Sequence, residues 1–437
     1  MNQKSVFHNS LLTIVRQVFS IIFGFLAMVL IARVLGKEGQ GQYTLAILLP
    51  TLLYTLMNSG VPVSTVFFIG QKKYSDEEIY STTIYSTLIL SLLSILIGLV
   101  VVFFFKDYFF ASLTTGLLFS TLLIIPLIYL QKNLQTYFQG KEDFKSYNMI
   151  IILNQLGLLI FSLVFVWYLQ LGIEGAILGF ACSQLIMVLV SVVFMYRDYR
   201  LGFPKLFSST YFKDSLFFGL KGHLSNVLSF INYRIDMFLL AYFIDDIAVG
   251  IYSIAVLLAE RIWLVSQSVS SVLFARVANL TSEKEQNIFT SLASRNTLFI
   301  TLLGGGFLAL ISHWLILTFF GTEYSESIEP FLYIIPGIIL FSMSKVLAND
   351  FIGRGFPEIN TYIALITALT NLVLNLWLIP IYGIKGAAIS TSTSYILDAL
   401  IKSIYFSRKN NIPFSEFYLI KSSDIKLYKS KITKLFN

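Results

Sequence analysis

Charged residues, cysteine and histidine are scarce in this sequence. Only 13% of the 437 residues are charged, whereas 56% are hydrophobic and the mean hydropathy is +0.77. So few charges cannot cover the surface of a soluble protein of this length. The lone cysteine, Cys182, excludes an intramolecular disulfide, and His8, His223 and His313 lie too far apart along the chain for a local metal site. We therefore expect an integral membrane protein without a metal or cofactor.

Signatures of several other protein classes are also missing. The chain has no Gly-x-x-x-x-Gly-Lys-Ser/Thr motif, so we do not expect ATP hydrolysis. No small-residue cleavage site follows the apolar run that begins at Leu11, which predicts an uncleaved signal anchor. An oligosaccharide polymerase or ligase normally has a large outer loop, whereas the longest outer connection expected here lies near 320–329. We expect a transporter with no nucleic-acid partner, and keep the polymerase or ligase as a less favoured alternative.

The apolar residues fall into about twelve stretches. A helix needs roughly 20 apolar residues to cross the hydrocarbon core of a bilayer. We predict spans near 10–34, 42–69, 80–105, 109–131, 148–170, 173–196, 215–243, 248–275, 293–319, 328–349, 359–380 and 384–406. The predicted fold class is therefore an all-α integral membrane protein with about 12 transmembrane helices.

Lysine and arginine are distributed unevenly over the connections between these spans. On one side lie 22 of them, and on the other side only four. Cytoplasmic loops carry the excess of positive charge, so both termini are expected in the cytoplasm. Residues 408–437 form a basic tail, which either lies on anionic lipid headgroups or is solvated.

Several landmarks recur along the chain at offsets of 209 to 213 residues. Gly41 and Tyr43 recur as Gly250 and Tyr252, Leu134, Phe138 and Gly140 as Leu347, Phe351 and Gly353, and Gly172 and Gly175 as Gly383 and Gly386. Six spans separate the copies, so both copies share one orientation. We predict two parallel six-helix lobes with pseudo-two-fold symmetry, residues 1–205 and 206–407, as is typical of secondary transporters.

Two segments of the second lobe carry a resemblance to a known family. Asn232–Asp236, followed by Gly250 and Tyr252, looks like the start of the second lobe in polysaccharide exporters. Asn371–Ser394, with Asn375, resembles their eleventh and twelfth helices. These exporters belong to the multidrug/oligosaccharidyl-lipid/polysaccharide exporter superfamily, and the resemblance covers essentially the whole chain.

The resemblance implies a Wzx-type O-antigen or capsule flippase. Such a protein moves undecaprenyl-pyrophosphate-linked oligosaccharides from the cytoplasmic to the outer leaflet of the bacterial cytoplasmic membrane. The lipid-linked units then serve the synthesis of O-antigen, capsule or exopolysaccharide. Movement by alternating access among membrane lipids is expected, and a monomer suffices because two lobes already enclose one pathway.

Cations within the predicted spans favour an anionic cargo. A charged residue in a span is costly and normally faces protein or a water-filled cavity. A pyrophosphate needs cationic hydrogen-bonding partners once it leaves water. Arg234 and Asp236 have a structural alternative, as charges between helices, and Lys345 could simply reach the interface. The substrate-binding candidates are Arg16, Lys221, Arg234, Arg261 and Asn232.

Two carboxylates are candidates for coupling to protons or sodium, Glu260 and Asp236. For Glu260 the alternative is an ion pair with a cation on another helix. Arg234 and Asp236 differ by about 160° around their helix, so their partners are also expected on other helices. The alternative function is an ion-coupled multidrug antiporter of the same superfamily. Such an antiporter would have an acidic residue in its first helix, where this chain has Arg16.

Overall fold

The fold is built from helices. The computed structural model describes residues 3–280, 282–422 and 424, with side chains from residue 19 onward except at 271, 275 and 278. No β-strand occurs in these ranges. In the same part of the chain, eight helices are long and apolar enough to cross a membrane, and one bent pair would make a ninth. The predicted all-α integral membrane fold is confirmed.

The first six predicted spans all fall in helices. Helix α1 (Gln3–Met57) contains the first two, separated by a kink at Gly36, and α2 (Val61–Gln71) completes the second. The others are α3 (Asp76–Phe109), α4 (Thr115–Leu122) with α5 (Ile125–Gly140), α6 (Phe144–Ser162) with a π-helical turn (Leu163–Tyr168), and α7 (Gly172–Tyr199). At the start of α3, Ser75 and Glu78 cap each other's backbone, which fixes where this helix begins.

The remaining predicted spans also coincide with helices. They are α8 (Ser209–Phe243), α9 (Asp246–Glu260) with α10 (Trp263–Asn279), α11 (Glu283–Phe319), a 3₁₀ turn (Thr322–Ser327) with α12 (Ile328–Gly353), α13 (Pro357–Tyr382) and α14 (Ile384–Asn410). Helices α8 and α14 are not among the eight recognised by length and composition. Both carry many polar residues, which lowers their hydropathy below that of a typical span.

The chain divides into two compact units. One contains Met1–Phe230 with Asp245–Gly250, and the other contains Ile231–Ile244 with Ile251–Asn437. Helix α8 therefore contributes its first part to one unit and its last part to the other. The lobe boundary between residues 205 and 206 stays a prediction.

The internal repeat produces the same corner twice. Gly172 begins α7 and Gly383 directly precedes α14, with φ of 59° and 58°, a left-handed conformation that favours glycine. Three residues later, a Cβ on Gly175 would lie 2.7 Å from a carbonyl oxygen of the preceding helix, and a Cβ on Gly386 2.2 Å from one. Only glycine allows so close an approach, so these landmarks recur because both corners require them.

The first part of α8 packs along α2. The hydroxyl oxygens of Ser64 and Ser215 are 2.5 Å apart, and the rings of Phe67 and Phe218 stack with centroids 4.0 Å apart. Small hydroxyl residues at the crossing let the two helix backbones approach closely. This part of α8 therefore packs against α2 within the first unit in the conformation described.

Several odd-numbered spans carry exposed aromatic residues near their ends. They lie at the end of α3, in the π-helical turn, and on the second halves of α11 and α13, and they include Phe103, Tyr108, Trp167, Tyr168, Trp314, Trp377 and Tyr382. Tryptophan and tyrosine favour the boundary between hydrocarbon and headgroups. We therefore expect each of these helices to reach a membrane boundary near its aromatic end.

The start of the basic tail packs against the second unit. The short helix α15 (Ser415–Tyr418) places Phe417, which is fully buried, against Phe351 and Phe406. Arg295 of α11 donates hydrogen bonds of 2.6 and 2.9 Å to Asp424. These bonds hold the pKa of Asp424 below its usual range. Phe417 and Asp424 thus hold the start of the tail against the second unit, while residue 423 and the residues after 424 lie outside the described residues.

Candidate functional site

The candidate cations lie in different parts of the fold. Arg16 belongs to α1, but its side chain is outside the described residues, so its placement stays a prediction. Lys221 is exposed on α8 within the first unit, with its ammonium 4.9 Å from the centre of the Phe217 ring. Arg234 and Arg261 belong to the second unit.

Arg234 and Glu260 form an ion pair between α8 and α9. Two guanidinium nitrogens of Arg234 donate to the two carboxylate oxygens of Glu260 at 2.7 and 3.0 Å. The side chains are 26% and 22% exposed, so water reaches the pair only in part. The expectation that Arg234 finds its partner on another helix is confirmed. This bidentate geometry holds both side chains and neutralises both charges.

Arg261 lies at a break between two helices. Helix α9 ends at Glu260 and α10 begins at Trp263, with a bend of 43° between them. At the break, backbone N–H groups of residues 261 and 262 bond to carbonyls three residues back instead of four. The Nε of Arg261 is buried and has no hydrogen-bond partner among the described residues. This guanidinium can therefore accept an anion without first losing a protein partner.

Asp236 lies in a polar layer that joins α8, α9 and α14. Its carboxylate is fully buried and accepts hydrogen bonds from the hydroxyls of Tyr252 at 2.6 Å and Thr391 at 2.9 Å. It also accepts the backbone N–H of Met237 at 2.8 Å. These contacts are compatible with the structural alternative for this carboxylate, and the neighbouring oxygen atoms also suit a proton or a small cation.

Asn232 takes part in the same layer one turn earlier. Its backbone carbonyl accepts a hydrogen bond from Asn371 at 2.8 Å, and its side-chain oxygen accepts one from Ser394 at 3.0 Å. Asn371 in turn accepts a bond from Asn375 at 2.8 Å. These contacts fasten α8 to α13 and α14, so Asn232 positions the helix that carries Arg234.

The sequence indicates Lys345 as a cation within a span that could simply reach the interface, and the structure places it against aromatic rings of the second unit. Its ammonium lies 3.5 Å from the centre of the Trp263 ring and 5.7 Å from that of Tyr233. Nearby, Lys402 pairs with Asp398 at 2.7 Å, with both side chains buried. A lysine within an apolar span was the available signal, but the surrounding rings come from several helices and are not adjacent in sequence.

Three comparisons relate the chain to known proteins. Residues 6–280 match the family model described as "Polysaccharide biosynthesis protein". The chain is 24% identical over 390 residues to "Putative O-antigen transporter" of Shigella flexneri, across 86% of this chain and 92% of that protein. It is 24% identical over 405 residues to "Capsular polysaccharide biosynthesis protein CapF" of Staphylococcus aureus, across 90% and 97%. The solved structure "Lipid II flippase MurJ, inward closed conformation" shares the fold, with a TM-score of 0.77 over 93% of this chain and 89% of that chain at 19% identity.

Glu260→Gln should lower the thermal stability of the purified protein more than Glu329→Gln does. Removing the Glu260 charge leaves the partly buried guanidinium of Arg234 unpaired, which costs on the order of 1–3 kcal/mol. The matched pair of Glu329 with Lys385 is 51% exposed on both sides, and such pairs contribute about 0–1 kcal/mol. Thermal unfolding in detergent micelles measures the difference. Equal losses in both variants would show that the pair adds little to stability.

Proposed function

Because the chain belongs to the polysaccharide biosynthesis protein family, we propose that it is a flippase for undecaprenyl-pyrophosphate-linked oligosaccharides. The cargo moves from the cytoplasmic to the outer leaflet of the bacterial cytoplasmic membrane and supplies surface polysaccharide synthesis. Two similar proteins are named for O-antigen transport and capsular polysaccharide biosynthesis, which supports a lipid-linked glycan as the cargo. The protein needs no catalytic group for this task.

The observation that carries the proposal is the unmatched cation at the break between α9 and α10. Arg234 and Glu260 neutralise each other, whereas Arg261 has no carboxylate partner among the described residues and a buried, unsatisfied Nε. Guanidinium groups bind phosphate oxygens with two parallel hydrogen bonds. A pyrophosphate would supply the missing acceptor and counter-charge together. Arg16 and Lys221 stay proposed substrate-binding residues of the first part of the chain, and Asn232 positions Arg234.

In proteoliposomes, the protein should move a labelled undecaprenyl-pyrophosphate oligosaccharide and not a cationic drug. Arg261→Gln should lower the flux about tenfold or more, because a hydrogen bond to a charged group is worth roughly 1.5–3 kcal/mol. Arg16→Gln and Lys221→Gln should also lower it. Arg408→Gln is the matched control, since Arg408 is exposed near the end of α14. Drug transport without movement of the lipid would favour the multidrug antiporter instead.

Transport is proposed to proceed by alternating access, which requires α8 to move against α2. A disulfide between residues 64 and 215 tests this, because the two serine oxygens already lie 2.5 Å apart. In a Cys182→Ser background, the double variant Ser64→Cys/Ser215→Cys should transport when reduced and stop when oxidised. Each single variant should transport under both conditions. Unchanged flux with the disulfide fully formed would contradict any separation of these helices.

The driving force is proposed to be the membrane potential together with a coupled ion. With the cytoplasm negative, each negative charge carried outward gains about 2.3 kcal/mol per 100 mV. Of the two coupling candidates, Glu260 is already held by two bonds to Arg234, whereas Asp236 lies among neutral hydroxyl and amide groups. Asp236 is therefore the stronger candidate to bind a proton or sodium.

In vesicles with pH, sodium and voltage clamped separately, Asp236→Asn should abolish the dependence of flux on one chemical gradient and keep its dependence on voltage. Removing the carboxylate removes the ion's charged ligand while the hydroxyls of Tyr252 and Thr391 remain. Glu260→Gln is the comparison variant and should keep the gradient dependence. If voltage alone drives full flux in the parent protein, no coupled ion is involved.

A further inference from the structure

Lys345 of α12 rests on an aromatic surface made by three helices. Its ammonium is 3.5 Å from the centre of the Trp263 ring of α10, 5.5 Å from Phe341 of α12 and 5.7 Å from Tyr233 of α8. The lysine side chain is partly exposed, whereas Trp263 is only 5% exposed. A cation over an indole face is held by the ring quadrupole, so this geometry is an attractive one for a charged lysine.

The other charges around Lys345 are matched among themselves. Glu260 is paired with Arg234, and Asp398 is paired with Lys402 and also accepts a bond from Ser344. No carboxylate of the described residues lies within ion-pair distance of Lys345 itself. Lys345 is thus a surplus cation in a poorly hydrated place, where a missing counter-charge is costly.

The internal repeat carries a lysine at the corresponding place. The offset of 213 that relates Leu134 and Gly140 to Leu347 and Gly353 also relates Lys132 to Lys345. Lys132 lies in α5, one residue beyond the predicted fourth span, and Lys345 lies within the tenth. The repeat therefore carries a lysine at the corresponding point of α5 and α12.

We propose that Lys345 is a further phosphate-binding residue, held on the Trp263 ring until an anion arrives and then drawn to it. This inference rests on the proposed function, since it assigns a second cation to the same pyrophosphate. Trp263 follows Arg261 by two residues, so Lys345 contacts the first residue of the helix that begins after the break between α9 and α10. A charge-assisted hydrogen bond to phosphate is stronger than a cation–π contact, and the flexible lysine stem allows the exchange.

The buried tryptophan provides a direct reporter of this movement. The other three tryptophans, Trp167, Trp314 and Trp377, are 60% or more exposed, so each can be replaced by phenylalanine. Trp263 is then the only source of tryptophan fluorescence. Inorganic pyrophosphate is titrated into the purified protein at constant ionic strength. The emission of Trp263 should change and saturate as the ammonium leaves the ring. An emission that stays constant while calorimetry detects bound pyrophosphate, or the absence of pyrophosphate binding, would overturn the proposal.

Two lysine variants separate a specific role from a general loss of charge. In the single-tryptophan protein, Lys345→Met should abolish the change in Trp263 emission. In the protein with all four tryptophans, Lys345→Met should weaken pyrophosphate binding about tenfold or more, as measured by calorimetry. Lys345→Arg should retain most of the affinity. The matched control is Lys409→Met. Its lysine also contacts an aromatic ring, that of Phe356 at 3.4 Å, but none of the three rings around Lys345. Equal affinity in Lys345→Met and the parent would exclude Lys345 from the site.

Flux of the lipid-linked oligosaccharide in the same variants distinguishes the two proposals. If the parent protein moves no such lipid but pyrophosphate still shifts Trp263 emission through Lys345, the flippase proposal fails and the assignment of Lys345 stands. If the parent moves the lipid and Lys345→Met moves it equally well with unchanged pyrophosphate affinity, the flippase proposal stands and the assignment of Lys345 fails.

Discussion

Hydrocarbon offers no hydrogen bonds, and this property of the solvent decides what the chain can form. Backbone groups must bond within helices, and polar side chains must find partners inside the protein. Many serine and threonine hydroxyls meet the need locally by donating to a carbonyl one turn back, as Thr51, Thr55 and Ser342 do. Others, such as Asn232 and Asn371, bond across helices and fix how neighbouring helices pack.

Because an unpaired charge is costly in hydrocarbon, the pairing of the charged residues in the second unit indicates what each one is for. Arg234 with Glu260 and Lys402 with Asp398 form compensated pairs that hold helices together. Arg261 and Lys345 have no carboxylate partner among the described residues. The Nε of Arg261 has no hydrogen-bond acceptor there, and the ammonium of Lys345 rests on aromatic rings. A protein that carries an anion must keep cations available without letting its own carboxylates occupy them. The division of the second unit's cations into paired and unpaired ones fits the proposed anionic cargo.

The positions of the helices could be predicted because a span requires a long apolar run, and each predicted span coincides with helical segments. The glycine landmarks were equally visible, because Gly172 and Gly383 sit where other residues would be strained. The partners that side chains find on other helices could not be predicted. Arg234 and Glu260 are 26 residues apart, and angular spacing indicated only that the partner lay elsewhere. The break after Glu260 carries no proline or glycine, so nothing in the sequence announces it.

The exposed aromatic residues at the ends of odd-numbered spans restrict the kind of motion open to the protein. A ring at the headgroup boundary tolerates tilting of its helix, but vertical displacement would carry it into hydrocarbon or into water. Such rings occur both early in the chain, on α3 and the π-helical turn, and late, on α11 and α13. Each helix that carries such a ring therefore keeps its depth in the bilayer. It can tilt about its aromatic end, whereas a piston-like stroke through the bilayer would pull the ring from its preferred layer.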